Sequence, residues 1–228
     1  GYVDNRLLMS ALSKYADLNG IRRIHGTVTS VDAGLGHARV LLADGSVHQA
    51  QIAILATGAW SSVIKLQGSA IDIPVRPVRG QMISWEPAPE IRHLLYTASG
   101  YLVPRSNGRL LAGATVEDVG FDAATTSPAA EQLTAAAVEI LPALDGRSIA
   151  DHWMGFRPCS PDGLPIIGRL NDAPSVIVAT GHYRNGILLA PRTAEIVAGI
   201  IITGERAGPR NYSPERFVKT AAHRGSNK

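Results

Sequence analysis

The chain has 228 residues, 45% apolar and 18% charged, with a formal net charge of +3. That composition excludes a solvated, disordered chain and leaves enough apolar mass for one large packed domain or two small ones. A late basic cluster, Arg206, Arg210, Arg216, Lys219, Arg224 and Lys228, has no interleaved aromatics; it reads as a solvated tail, not a nucleic-acid surface. Cys159 is the single cysteine, so an internal disulfide is impossible and the expected setting is cytoplasmic. No apolar run approaches a membrane span of about 20 residues, and no signal peptide opens the chain.

Asp4 is a good cap for a helix that carries Leu7, Leu8, Ala11, Leu12 and Tyr15 at helical spacing and ends at Asn19-Gly20. Residues 21–31 read as a strand, and 38–42 as another, followed by the hairpin signal Asp44-Gly45. Residues 51–57 form a short apolar run of the kind buried on both faces of a sheet, leading into Gly58-Ala59-Trp60-Ser61, with Ser61 a candidate cap.

From about residue 72 the texture changes. Pro74, Pro77, Pro87 and Pro89 punctuate strand-like runs at 81–85, 101–104 and 109–115. A helix follows over 128–141, with Ser127 as cap and Pro128 at its first position. After Trp153 the first texture returns. Residues 175–180 read as a buried strand, Gly181 breaks it, and a helix runs over 191–203 to Gly204. A strand, a glycine turn and a helix together present backbone N–H groups to a ligand. The expected fold is α+β or α/β, a partial Rossmann-like layer interrupted by an antiparallel sheet. Its segments are 1–72 in the layer, 73–152 in the insertion, 153–205 returning to the layer, and a basic tail at 206–228.

Four segments carry candidate chemistry. In Gly181-His182-Tyr183-Arg184-Asn185-Gly186-Ile187-Leu188-Leu189, two glycines flank polar residues before a helix, which suits either an electron-rich ligand edge or an ordinary turn. Arg157, between Phe156 and Pro158 in an apolar, turn-rich run, needs an anionic partner. Its planar fork fits a ligand carboxylate or a structural acid such as Asp162. Tyr101 opens the run 101–105, with Gly113-Ala114-Thr115 some ten residues later; it is a strand tyrosine, either a core ring or a hydroxyl donor. Arg79 and Gly80, in Pro77-Val78-Arg79-Gly80-Gln81, face a pocket or form a surface turn.

In this order and at these separations, the segments resemble the D-amino-acid oxidase superfamily, and most of all its glycine oxidase branch linked to thiamine biosynthesis. The run at 181–189 is the most specific; Gly-Phe-Arg-Pro at 155–158 and Pro-Asp-Gly-Leu-Pro-Ile-Ile-Gly at 161–168 come next. Ala-Thr-Gly-Ala-Trp-Ser at 56–61 and the run at 77–81 are typical of the wider superfamily. The resemblance implies an FAD-binding layer and an antiparallel sheet that holds a small amino-acid substrate. Arg157 would grip the substrate carboxylate, Tyr101 would add a hydroxyl, and Arg184 would lie near substrate and flavin. The backbone of His182, Tyr183, Arg184, Asn185, Gly186, Ile187 and Leu188 would line the isoalloxazine, with Gly58 and Val28 also on the cofactor and Val116 on the pocket wall.

The implied reaction is oxidative deamination of glycine or a small amino acid, with hydride passing to the flavin and oxygen as acceptor. The alternatives are a sarcosine oxidase-like or D-amino-acid dehydrogenase-like flavoenzyme, or a module that binds no flavin. No membrane, nucleic-acid or metal partner is expected. Cys159 reads as a buried small hydrophobe, with a covalent flavin link the lesser reading.

The family's opening Gly-x-Gly-x-x-Gly turn is missing, since Gly34-Leu35-Gly36 lacks the third glycine and a following helix. The expectation is a fragment, a truncated frame or one subunit of a split enzyme. Uncovered sheet edges and helix faces would then favour a homo-oligomer or pairing with an N-terminal segment.

Overall fold

The structure is a computed structural model that describes residues 2–34, 36–69, 71–205 and 208–217. It opens with helix α1, Asn5–Leu18, capped by the Asp4 carboxylate, which accepts from the Arg6 and Leu7 N–H groups. Strands β1 (Val28–Gly34), β2 (His37–Leu42), β3 (Val47–Ala50), β4 (Ala53–Leu55) and β5 (Lys65–Gln67) follow. Then come β6 (Arg76–Trp85), β7 (Leu95–Tyr96), β8 (Tyr101–Pro104), β9 (Leu110–Gly113), helix α2 (Ser127–Ile140) and β10 (Asp151–Cys159). The chain returns through β11 (Ile166–Arg169), β12 (Val176–Thr180) and α3 (Gly186–Thr203).

These elements fall into two compact units. One joins Gly1–Ile24 to Pro77–Arg157 and holds a five-stranded sheet in the order β10-β6-β9-β8-β7, in which β6 and β9, β9 and β8, and β8 and β7 run antiparallel. Its core is Ile83, Trp85, Leu102, Leu110 and Ala112 on the sheet against Leu133 and Ala137 of α2. Each fully buried aliphatic side chain contributes about 1.5–3 kcal/mol of burial.

The other unit joins His25–Arg76 to the residues from Pro158 onward. It holds a four-stranded sheet, β3-β2-β1-β5, and a three-stranded one, β11-β12-β4. In the second of these, β12 and β4 run parallel, as the layered reading requires. Val31, Leu55, Ile166, Val176 and Val178 share its main core, and Val197 and Ile200 of α3 pack on Ile167 and Ile177.

Several boundaries differ from the sequence reading. Strand β1 begins at Val28, not at residue 21, because pairing with β2 ends at Val28↔Leu42 and a bulge intervenes before Ser30. Strand β4 keeps only three residues of the 51–57 run, with Ile54 47% exposed, so it is not buried on both faces. Ser61 does not cap a helix. It lies buried inside a 3-10 turn, Gly58–Ser62, where its hydroxyl donates to the Gly58 carbonyl and to Thr180 Oγ1. Thr126, not Ser127, precedes α2.

Helix α3 starts five residues before Pro191, although that proline has no N–H to return to the Ile187 carbonyl. By length and composition α3 is apolar enough to cross a membrane, which the sequence reading had excluded; here its buried face lies on the sheet. Helix α1 falls in the unit with the five-stranded sheet, where its segment is held by Asp4–Arg105 at 3.7 Å and by Arg6 over the Trp153 ring. None of its residues is buried.

The basic tail is not wholly solvated. Arg216 donates to both carboxylate oxygens of Asp162, at 2.7 and 3.1 Å, and lies over the Phe217 ring. That bond holds Asp162 below the ordinary carboxylate range. Arg206, Lys219, Arg224 and Lys228 lie outside the described residues.

Candidate functional site

Arg157 stands near the end of β10, so its setting is a nine-residue strand and not a turn. Asp162 is not the acid set against it, because Asp162 is engaged by Arg216. Instead Arg157 Nη1 donates to the Thr115 carbonyl at 3.0 Å and to the Arg79 carbonyl at 3.4 Å. The guanidinium lies over Gly80. A Cβ on Gly80 would sit 2.2 Å from Nη2, 2.3 Å from Nη1 and 2.4 Å from Cζ. Only a residue without a side chain leaves room for the fork there.

Tyr101 repeats this arrangement one strand away. It pairs with Gly113 across β8 and β9, and a Cβ on Gly113 would sit 2.7 Å from the Tyr101 hydroxyl oxygen. The ring stacks on Tyr96 at 6.2 Å, with an interplanar angle of 2°. The segment 113–115 therefore underlies both Tyr101 and Arg157. Val116 follows it and is 54% exposed.

Arg79 is not a surface residue. It is 3% exposed, pairs with Glu117 and Asp122, and its backbone exchanges hydrogen bonds with Glu117 at 2.9 Å in each direction. Sequence reasoning left Arg79 and Gly80 between pocket and surface, grouped Gly113-Ala114-Thr115 with Tyr101 without giving it a role, and missed Glu117. The available signal was Glu117 two residues after Thr115 at a strand exit.

In the other unit, β12 ends at the buried Thr180, whose hydroxyl donates to the Gly58 carbonyl at 2.9 Å. Gly58 is thus held beside the turn that begins at Gly181. Gly181 takes φ +78° and Tyr183, a non-glycine, takes φ 48°. Such a left-handed tyrosine is strained and marks a turn fixed by its surroundings. The turn leads to α3, whose first residues, Gly186, Ile187 and Leu188, are exposed. Asn185 makes no side-chain cap bond, and the opening N–H groups of a helix have no intrahelical partner. Arg184 is exposed, with its guanidinium 5.7 Å from the Tyr183 ring centre. Val28 opens β1 and packs against the main core. Cys159 is half-buried rather than buried, and its thiol faces the Ser160 carbonyl at 3.6 Å.

His182 Nε2 lies 2.9 Å from Thr193 Oγ1, and burial pushes the ring below its ordinary 6.5. The folded state therefore favours the neutral ring. Its stability contribution is complete above about pH 6.5 and is lost as pH falls toward the folded value. Urea unfolding at about pH 7.5 and about pH 5.5 should show a larger acid loss in the wild type than in His182→Asn. Equal losses would remove His182 from the titration.

Comparison with known proteins gives the family. The family model described as FAD dependent oxidoreductase (DAO) covers residues 1–200. A bifunctional protein ThiO/ThiG of Synechocystis is 37% identical over 96% of this chain and 34% of its own length. A glycine oxidase of Pseudomonas putida is 37% identical over 90% of this chain and 54% of its own. The crystal structure of glycine oxidase from Geobacillus kaustophilus overlays with a TM-score of 0.80 at 27% identity, over 92% of this chain and 57% of that one. The chain thus spans between a third and somewhat over half the length of these relatives. With the family model covering most of its length, the chain belongs to the DAO family of FAD dependent oxidoreductases.

Proposed function

We propose that this chain carries the carboxylate-binding surface and part of the flavin-binding layer of an amino-acid oxidase that acts on glycine or another small amino acid. The observation that supports it best is the pair of glycine shelves. Gly80 and Gly113 lack side chains where the Arg157 fork and the Tyr101 hydroxyl lie. A planar, permanently charged fork beside a phenol hydroxyl suits a substrate carboxylate in two-point contact. The relatives named as glycine oxidases point to the same substrate class, and the resemblance links the product to thiamine biosynthesis.

The turn at 181–188 fits FAD on its own geometry, since an uncapped helix start with exposed backbone favours an electron-rich group. The backbone from His182 to Leu188, together with Gly58, would hold the isoalloxazine, and the Val28 main chain the adenine. The chemistry supplied when FAD is bound is two-electron oxidation of the α-carbon, with electrons then passing to oxygen to give hydrogen peroxide. In this reading the protein's own part is orientation. Arg157 pins the carboxylate and Tyr101 donates to it, so the α-carbon is presented in one pose. Arg184 adds positive charge near the substrate, and Val116 bounds the pocket. With its pKa lowered, His182 stays neutral and holds the turn; it is not needed as a base. Water hydrolyses the imino acid after release.

The test is oxygen uptake with peroxide detection by the flavin-loaded protein. Glycine is expected to support both, and glycinamide, which lacks the carboxylate, neither. Turnover of glycinamide comparable to that of glycine would refute a carboxylate-gripping site.

A further inference from the structure

Arg157 rests on two carbonyls, those of Arg79 and Thr115. The side chains of these same two residues converge on one carboxylate. Arg79 Nε and Nη2 donate to Glu117 Oε2 at 3.1 and 2.5 Å, and the Thr115 hydroxyl donates to Glu117 Oε1. Gln81 closes the ring. Its Nε2 donates to both Glu117 oxygens, at 2.9 and 3.1 Å, and its backbone N–H donates to Thr115 Oγ1 at 2.8 Å. The far side of Arg79 is held by the Asp122 carboxylate at 2.8 Å and by the Asp122 and Ala124 carbonyls at 3.1 and 2.8 Å. Gln81 and Thr126 also exchange bonds, which ties the cluster to the start of α2.

Burial alone would raise the Glu117 carboxyl, but the bonds from Thr115, Arg79 and Gln81 outweigh it and hold it below the ordinary range. Glu117 is therefore a charged, fully engaged hub. Such a network is rigid when every member is satisfied.

We propose that Glu117 is a positioning residue for carboxylate recognition. By fixing Arg79 and Thr115 together, it fixes both carbonyls on which the Arg157 fork lies. Removing its charge loosens two of the fork's supports at once, without touching the substrate. The inference rests on the reading of Arg157 as the carboxylate grip. It adds a residue one step behind the site.

The test uses the flavin-loaded protein and acetate as probe, with acetamide as the uncharged control, followed by titration calorimetry. Glu117→Gln keeps the shape and removes the charge. Its acetate affinity should fall about tenfold, of the order set by one charge-assisted hydrogen bond. Acetamide affinity should stay near wild type, the melting temperature should fall because the buried Arg79 loses one of its two carboxylates, and Glu117→Asp should recover part of the acetate loss.

Wild-type acetate affinity in Glu117→Gln, alongside a large loss in Arg157→Met, would overturn the positioning role alone. Unchanged affinity in Arg157→Met would instead overturn the reading on which it rests. An equal loss for acetamide would mark general collapse of the surface and also overturn the proposal. Should Glu117→Gln fail to fold, Thr115→Val removes the hydroxyl between Gln81 and Glu117 at constant shape. A severalfold loss of acetate binding is then expected, and wild-type binding would overturn the role.

Discussion

Replacing Arg157 with methionine should raise the KM for glycine by about thirtyfold or more, because truncating one partner of a hydrogen-bonded charge pair costs about 2–5 kcal/mol. Arg157 stands in β10 and its fork rests on the Arg79 and Thr115 carbonyls, so the loss removes a preformed contact and not a mobile surface charge. Arg157→Lys should recover only part of it. An ammonium is a point charge and cannot make the planar two-point contact. Steady-state kinetics with glycine and glycinamide check this. An unchanged KM in Arg157→Met would remove Arg157 from substrate binding.

Gly80→Ala is expected to lower kcat/KM for glycine by about a hundredfold, of the size that a 1 Å misplacement costs an oriented reaction. The new methyl would stand 2.2–2.4 Å from three atoms of the Arg157 guanidinium, and something must move. The atoms it meets belong to the far end of a flexible side chain, so the fork yields and the strand does not. Gly80 lies inside β6, and alanine restricts the unfolded chain more than glycine. Stability should therefore hold or rise while activity falls. Chemical denaturation together with kinetics separates the two effects. Full activity in Gly80→Ala would show that the guanidinium position is not what the reaction depends on.

Much of the architecture was legible in the sequence because its signals are local. Asp4 and Asn19-Gly20 bound α1 as their cap chemistry requires, and Asp44-Gly45 sets the turn between β2 and β3. The β12, Gly181, α3 succession stands as its glycine implies. Pro191 misled the start of α3 because proline favours the first helical turn but does not demand it. Residues 21–27 read as the start of a strand yet join no ladder, since the paired register of β1 with β2 begins at Val28↔Leu42. Strand extent depends on what the sheet offers across the ladder, which one segment cannot reveal.

The candidate residues divide in the same way. Arg157 and Tyr101 stood out because a charge or a phenol in an apolar run needs a partner. Gly80 and Gly113 stood in the candidate segments without this role, because it is the space they leave under Arg157 and Tyr101, side chains 77 and 12 residues away in the chain. Glu117 escaped notice because its partners Arg79 and Gln81 lie 38 and 36 residues before it. Arg79 stayed open between pocket and surface because the carboxylates that bury it, Glu117 and Asp122, lie 38 and 43 residues further on.

The most direct measurement is the visible absorption spectrum of the FAD-loaded protein before and after glycine is added without oxygen. The account predicts that the oxidised flavin bands bleach on addition of glycine and return when air is admitted. A spectrum that stays oxidised with glycine, N-methylglycine and D-alanine alike would contradict it.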